Sequence, residues 1–527
     1  MSGQVIDDVS DVTKLPATPP EDVQEKAAPT TEAPPRRSRG LGFWALVQRH
    51  RGFSVLLAIG LVLRVITMIG YYPAMWFNDS FDYLHAALAF YPHPVRPDGY
   101  SFLLVALEPF HSFALVAGLQ HLMGLGIGVM VYAVLRKRFK LPGWGATLAA
   151  APVLLDAYQI QLEQLIMSDV LFEFLLVAII TLLIWYPRPS WKIAAVVGLL
   201  IGLAAVTRSV GTPVLVACVA YMIVRRMRWR VIATMVALCA LPMAAYAGWY
   251  ASWHGKFALT GTSGIFLYAR VSAFADCDKI KNVPTSEIPL CPENLKEQDI
   301  LHQSQDVIWS NYSPLTKYAP NKFGPATNQL ASDFSKRAIM AQPGDYLKVM
   351  SEDFFRTFKW NRTVFPDPGT YSLYQFGKKS EPLPTWYMGG GKNAQQEADQ
   401  YEQGNARGKV VEPFAGVMRF YQKWFYLRGT MVGVILLVGL AGMIPLFGRR
   451  RTRKDRSLFG LGWGGRALLP WITATGLLLA PAATAEFDYR YVLPIVPIGC
   501  IAAGIAFSGT VRKRLRRRGG LTASPSA

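Results

Sequence analysis

Two aspartates three positions apart, Asp79 and Asp82, open the segment "FNDSFDYLHAALAFYPHPVRPDGYS" (residues 77–101). If a helix begins at Asn78, both share a face with Tyr83, because residues three and four apart are neighbours on a helix surface. A sheltered carboxylate of this kind can act as a general base and take the proton from a hydroxyl. The same segment holds His85, His93, Arg96, Asp98 and Tyr100 and is too polar to cross a bilayer. The plainer alternative is that "NDS" caps a helix, with Asp79 complementing its N-terminal dipole.

Two other groups could share that chemistry. In "QLEQLIMSDVLFEFLL" (161–176), Glu163 and Asp169 stand at the ends of apolar runs, and Glu173 lies one turn deeper among Leu and Phe. Glu173 needs a partner or a wet cavity, whereas acids at span ends can simply mark the interface. Arg208 in "AAVTRSVGTP" and Arg490 in "AEFDYRYVLPIVPI" are isolated cations at the ends of distant apolar runs. A guanidinium there can grip a phosphate bidentately, or it can snorkel to lipid headgroups.

What must position these groups is a membrane. The chain has 527 residues, 51% hydrophobic, with mean hydropathy +0.22 and net charge +20. Its apolar residues fall in long runs flanked by charge, the bilayer pattern. Spans are expected near 53–72, 113–134, 144–160, 169–186, 192–207, 212–224, 231–250, 429–447, 467–483 and 491–508. The basic clusters "RKRFK" from Arg136, "RRMRWR" from Arg225, "RRRTRKDR" from Arg449 and "RKRLRRR" from Arg512 each follow an apolar run. With both termini in the cytoplasm, every one of these clusters lands inside, as the positive-inside rule requires. Residues 251–428 carry 21 Lys and Arg against 17 Asp and Glu, so the excess charge reports topology and not nucleic-acid binding.

The expected fold is therefore an all-α polytopic membrane protein of about ten helices. Its parts are a disordered cytoplasmic tail (1–45), a membrane part (46–250) with an outer loop at 73–112, and a mixed extracytoplasmic segment (251–428) between the seventh and eighth spans. Closing helices (429–510) and a basic cytoplasmic tail (511–527) follow. The Pro- and Thr-rich start lacks the short apolar core of a signal peptide. Cys218, Cys239 and Cys500 lie in apolar runs, whereas Cys277 and Cys291 lie in the extracytoplasmic segment, where a disulfide between them is expected.

On this topology the acids and the two arginines converge on the outer face. No nucleotide sugar or ATP is expected there, and the sequence has no Walker or Rossmann motif. An outward-facing synthetic enzyme needs its activated group delivered on a lipid phosphate. Sugar transfer would then require one carboxylate to deprotonate the acceptor and cations to hold the departing phosphate.

Those motifs, "NDSFDY", "RPDGYSFLL", "EQLIMSDVLFEFLL", "GLAAVTRSVGTPVLV" and "YRYVLPIVP", make the chain resemble the GT-C superfamily of membrane glycosyltransferases. The resemblance covers roughly 50–250 and 430–508 and is nearest the bacterial branch related to protein O-mannosyltransferases and lipid A aminoarabinose transferases. It implies a polyprenyl-phosphate-linked sugar donor, an extracytoplasmic glycan, lipid or protein acceptor, and residence in a bacterial plasma membrane. It also implies Asp79 as catalytic base and Arg208 and Arg490 as holders of the donor phosphate. Glu163 and Asp169 would line the cavity, and Asp82, Tyr83, Arg96, Asp98 and Tyr100 would contribute to substrate binding. Ser80 stands where relatives often carry Glu, which leaves open whether Asp82 substitutes for it. Some members use a divalent cation and others do not, so Mg²⁺ or Mn²⁺ held by carboxylates stays open as a cofactor. The competing class is a transporter or flippase of lipid-linked saccharide, which should carry ionisable residues at mid-bilayer and broken helices. A scaffold subunit, a third class, would tolerate Asp79→Asn.

Overall fold

In a bilayer every backbone polar group must be satisfied within the chain, so long apolar runs fold as helices. The computed structural model describes residues 43–292, 304–310, 313–318, 322–443 and 465–520, with side chains through Ser508 in the last helix. The expected N-terminal tail through residue 42 and the Arg449 cluster lie outside the described residues, as do the side chains of the Arg512 cluster. The chain divides into two compact units, Met1–Arg49 and His50–Ala527. Of the first, the described part is the short helix α1 (Phe43–Arg49).

The second unit begins with α2 (Arg51–Gly70), α3 (Asn78–Ala89), α4 (Gly99–Leu107), α5 (Phe113–Ala133), α6 (Gly143–Leu155) and α7 (Ala157–Gln164). Next come α8 (Asp169–Trp185), α9 (Trp191–Thr207), α10 (Thr212–Val224), α11 (Trp229–His254) and α12 (Ser263–Val271). The stretch to residue 428 adds α13 (Ser304–Trp309), α14 (Pro325–Ala341), α15 (Pro343–Arg356), α16 (Pro368–Ser372), α17 (Ala394–Glu402) and α18 (Phe414–Trp424). The chain closes with α19 (Gly429–Ala441), α20 (Gly465–Thr484) and α21 (Ile495–Gly520). Among the described residues strands are confined to pieces of two or three residues, β1 (Tyr71–Tyr72) paired with β4 (Lys409–Val410) and β2 (Tyr387–Gly389) paired with β3 (Lys392–Asn393).

Helices occupy described parts of all ten stretches read as spans, but among the described residues only five are long and apolar enough to cross a membrane by themselves. These are Arg51–Gly70, Phe113–Arg138, Trp229–His254, Gly465–Thr484 and Tyr489–Ser508. A sixth would be α18 and α19 taken together, which are bent by 58°. Three details differ from the sequence reading. The run 144–160 is not one helix: it breaks at Asp156, whose Oδ1 accepts the Tyr158 N–H at 2.8 Å and so caps α7. The first span stops at Gly70, because Tyr71 and Tyr72 pair with Val410 and Lys409. The stretch 73–112 is no open loop but holds α3 and α4, the second of them apolar.

The main core is built by the long helices, with Ile127, Leu154, Ile180, Ile201, Met235 and Ile501 all buried. A second core lies where α3, α4 and the start of α5 meet the α7–α8 turn, and it includes Phe81, Leu84, Tyr100, Phe113 and Ile166. From residues 374–406 it takes Tyr374, Ala398 and Tyr401, so this stretch is packed directly on α3 and α4. A third core joins α12 and α14 through Ile265, Tyr268, Ala331 and Phe334, and beside it Cys277 and Cys291 are joined by a disulfide.

Candidate active site

Helix α3 starts immediately after Phe77, and Ser80 Oγ accepts the Phe77 N–H at 2.9 Å. Serine thus does the capping work, and the Asp79 carboxylate is left for other partners. Met75 then anchors the approach to α3 on the α7–α8 turn, donating to Gln164 O at 2.9 Å and accepting from Ile166 N at 3.1 Å. Tyr83 shares a 2.8 Å hydrogen bond with Ser168 Oγ, which sets α3 against the start of α8.

Asp79 is 6% exposed, and both of its oxygens face guanidinium groups. Arg96 Nη2 lies 2.8 Å from Oδ1, while Oδ2 accepts from Arg96 Nη1 at 2.8 Å and from Arg490 Nη1 at 2.6 Å. Arg96 Nε donates to Asp82 Oδ2 at 2.8 Å, so one guanidinium bridges the two aspartates of α3. Burial alone would raise the Asp79 pKa, but Arg490, Arg96 and the field of Arg208 outweigh it and hold the carboxyl below its usual value.

Arg490 sits in the turn before α21, its guanidinium 4.9 Å from the centre of the Phe77 ring and 5.3 Å from that of Tyr491. Its Nε lies 3.0 Å from Asp488 Oδ2, and Asp488 Oδ1 accepts a 2.5 Å hydrogen bond from Tyr374. Arg208, in the break between α9 and α10, pairs with Asp169 and lies 5.4 Å from the same Tyr491 ring. The break is held close: a side-chain carbon on Gly99, at the start of α4, would come within 2.7 Å of Thr207 N. Asp169 Oδ2 is buried and accepts no hydrogen bond from the described residues, which leaves that side of its carboxylate under-satisfied.

The structure thus brings Asp79, Asp82, Tyr83, Arg96, Asp169, Arg208 and Arg490 together. Three other expected site residues stand apart. Asp98 is buried and accepts from His93 N at 2.9 Å and from Tyr246 Oη at 2.7 Å. Burial pushes its carboxyl up to about 7 against those hydrogen bonds, and its role here is to pin the turn that carries Arg96. Tyr100 is buried and donates to Gln120 Oε1 at 2.8 Å. Glu163 is drawn into an ion pair with the membrane helix α2. It is 0% exposed and clamped by Arg64 Nε and Nη2 at 2.7 and 2.8 Å, with His121 Nδ1 at 2.9 Å.

Several partners were not singled out from the sequence. Arg64 is a lone cation within "LVLRVI" of α2, and such a residue demands a counter-ion; nothing local says that it is Glu163. Asp488 and Tyr374 orient Arg490, and Gln159 Nε2 reaches one oxygen of Glu173 at 2.9 Å. His85 Nδ1 meets Glu397 Oε1 at 2.6 Å, tying α3 to α17. A cavity of about 330 Å³ opens beside the Arg96 turn, lined by Pro94, Tyr250, His254, Lys256 and Phe323.

Among the described residues, no three His, Cys, Asp or Glu side chains are grouped to hold a metal ion. The donor set also fits one poorly, since the Asp79 and Asp82 carboxylates already face Arg96 and Arg490. A divalent cation would have to displace those guanidinium groups.

No protein-family model matches the chain, and no curated protein sequence does. Among solved structures it is similar to the oligosaccharyltransferase AglB of Archaeoglobus fulgidus in complex with an inhibitory peptide and a dolichol-phosphate, at 13% identity and TM-score 0.37. That similarity covers 91% of this chain but 53% of AglB, so the chain spans about half the length of the archaeal enzyme. It is also similar to ArnT of Cupriavidus metallidurans, in the apo state at 13% identity and TM-score 0.33, covering 88% of this chain and 78% of ArnT. For ArnT bound to undecaprenyl phosphate the TM-score is 0.32, with 90% and 81% covered. At such low scores the functional reading rests on this chain's own residues.

Proposed function

We propose that this chain is an integral membrane glycosyltransferase of GT-C type. It moves one sugar, hexosyl or pentosyl, from a polyprenyl-phosphate carrier to an extracytoplasmic glycan, lipid or protein acceptor, with inversion at the anomeric carbon. The observation that carries this reading is the Asp79 carboxylate sheltered between Arg96 and Arg490, with Arg208 on the ring that Arg490 also approaches.

The acceptor oxygen attacks the anomeric carbon while its proton passes to Asp79, and the carbon–oxygen bond to phosphate breaks with both electrons staying on the phosphate. The donor phosphodiester carries about one negative charge and the departing monoester up to two. Arg490 and Arg208 therefore bind the departing group more strongly than the bound donor, and that difference is what accelerates the step. Without donor, Asp79 itself occupies Arg490, which depresses its basicity. An incoming phosphate competes for that guanidinium, releases Asp79 Oδ2 and restores its affinity for a proton. The cavity lined by Pro94 and Tyr250 opens beside the turn that carries Arg96.

The second reading, a transporter or flippase of lipid-linked saccharide, draws on the ionisable residues inside the helices, Arg64, Glu163 and Glu173. Arg64 lies six residues from the Gly70 end of α2, roughly 9 Å along the helix axis and toward the cluster of acids and arginines. It is closed onto Glu163 by two hydrogen bonds and is buried. The test is transfer of labelled sugar from a polyprenyl-phosphate donor by the purified protein, compared with Asp79→Asn. An enzyme loses about a hundredfold or more of its turnover in that variant. Movement of intact donor across the bilayer without transfer, unchanged by the variant, would establish the transporter.

A further inference from the structure

Two stretches outside the Asp79 cluster set cations among aromatic rings, "FFRTFKWNR" (354–362) and "YQKWFYLR" (421–428). The fold joins them at the start of α19. Gly429 lies so close to the first stretch that an added Cβ would sit 2.2 Å from Lys359 O and 2.3 Å from Thr357 O, so only glycine permits the approach. Arg428 Nη1 then donates to Asn361 Oδ1 at 2.7 Å, which makes Arg362 a neighbour of Arg428.

Each guanidinium rests on rings. Arg362 lies 3.6 Å from the centre of the Tyr158 ring and 4.9 Å from that of Tyr489, the residue preceding Arg490. Arg428 lies 4.0 Å from the Tyr426 ring and 5.7 Å from that of Trp360. Tyr158 and Tyr426 themselves meet edge to face at 5.4 Å. The two cations therefore stand side by side on one aromatic floor that runs to the Arg490 cluster.

Among the described residues neither cation has a counter-ion. Arg356, on the same stretch, pairs with Asp353, but among the described residues no carboxylate lies within ion-pair distance of Arg362 or Arg428. The acid whose field Arg362 feels, Asp156, is buried and occupied by the backbone N–H groups of Tyr158, Gln159 and Leu427. Arg362 donates no hydrogen bond to the described residues and is only half-buried, so its N–H groups remain available. Arg428 stands at the N-terminal cap of α19, where the helix dipole disfavours a cation. An anion on the pair removes that conflict, and a guanidinium fork matches phosphate oxygens in a way an ammonium does not.

We propose that Arg362 and Arg428 form a second phosphate subsite, beside the Arg490 cluster, that takes the phosphate of a membrane lipid headgroup. A lipid is the source because α19 is apolar and the exposed Trp424 and Phe425 flank the pair, which places it at the bilayer surface. This inference does not depend on sugar transfer.

The experiment uses the full chain in phosphatidylcholine nanodiscs carrying increasing phosphatidylglycerol, with bound lipid counted by native mass spectrometry. Arg362→Gln with Arg428→Gln should lose about tenfold of the phosphatidylglycerol retained. Lys359→Gln with Lys423→Gln removes the same charge from exposed neighbours and should change retention less than about twofold. Equal losses in the two double variants would mean general attraction to a basic belt and would overturn the subsite. Arg362→Lys with Arg428→Lys keeps charge and guards against misfolding: with an unchanged melting temperature it should still lose retention, and full retention overturns the proposal. Inorganic phosphate serves as the second arm. Saturable binding of free phosphate to the arginine pair without phosphatidylglycerol retention would overturn the lipid assignment.

Discussion

Arg490 Nη1 lies 2.6 Å from Asp79 Oδ2, an ion pair that spans 411 residues of sequence and joins the turn before the last helix to the first turn of α3. Each group limits the other: the guanidinium keeps Asp79 ionised but weakly basic, and the carboxylate keeps Arg490 occupied until a better anion arrives. Arg490→Gln, which removes the charge, should therefore lower turnover about a hundredfold, the scale expected when one donor to a developing anion is lost. It should also move the acid limb of the kcat/KM profile to higher pH. Asp79 works only when deprotonated, and removing Arg490 raises a pKa that the arginines now depress. An acid limb that stays in place would show that Asp79 is not the group titrating.

Asp98 predicts a stability effect of opposite sign. Its carboxyl is pushed up to about 7 in the folded protein, against about 3.9 in an unfolded chain. Between those values the folded state holds a proton that the unfolded state has released, so stability falls as pH rises through that window. Asp98→Asn imitates the protonated form and should remove the part of the Tm decline between pH 5 and 7 that Asp98 causes. Melting curves in detergent at several pH values decide this, and identical slopes for the two proteins would refute it.

The Arg64–Glu163 pair lies buried among helices, where breaking one partner costs far more than replacing both. Arg64→Met alone should destabilise the protein by about 3–5 kcal/mol, because Glu163 is then left buried and unpaired. Arg64→Met with Glu163→Gln should recover most of that loss. Thermal unfolding of the two variants gives the comparison. Equal loss in both would mean that His121 and Gln159 already satisfy the glutamate.

Tyr374 reaches Arg490 through Asp488. Tyr374→Phe should lower kcat/KM about tenfold and also cost the fold about 1.5–3 kcal/mol, the worth of a hydrogen bond to a charged group. The loss should appear mainly in KM for the lipid donor if Arg490 holds its phosphate. A variant with wild-type kinetics would show that Asp488 orients Arg490 without help.

Cys277 and Cys291 close a loop of separation 14, so reduction should lower the stability of the α12–α14 core by up to about 3 kcal/mol. Peptide mapping without reductant should recover the two cysteines in one cross-linked fragment, with Cys218, Cys239 and Cys500 as free thiols. Free thiols at 277 and 291 in unreduced protein would place that segment in a reducing compartment.

The sequence alone determined the helical, membrane-crossing character of the chain, because apolar run length and flanking charge are local quantities. It also located the acids of α3, since spacing of three residues on a helix is a local geometric fact. Arg208 and Arg490 stood out because isolated guanidinium groups at the ends of apolar runs need a reason. The partners were decided only by tertiary structure. Asp98 and Tyr100 lie in the same outer segment as Asp79, yet they turn to Tyr246 and Gln120. Glu163 faces Arg64, and Asp79 meets a residue from the far end of the chain. A buried charge commits its sequence to having a counter-ion, but which one it meets depends on how helices pack, and packing is settled by shape across many segments at once.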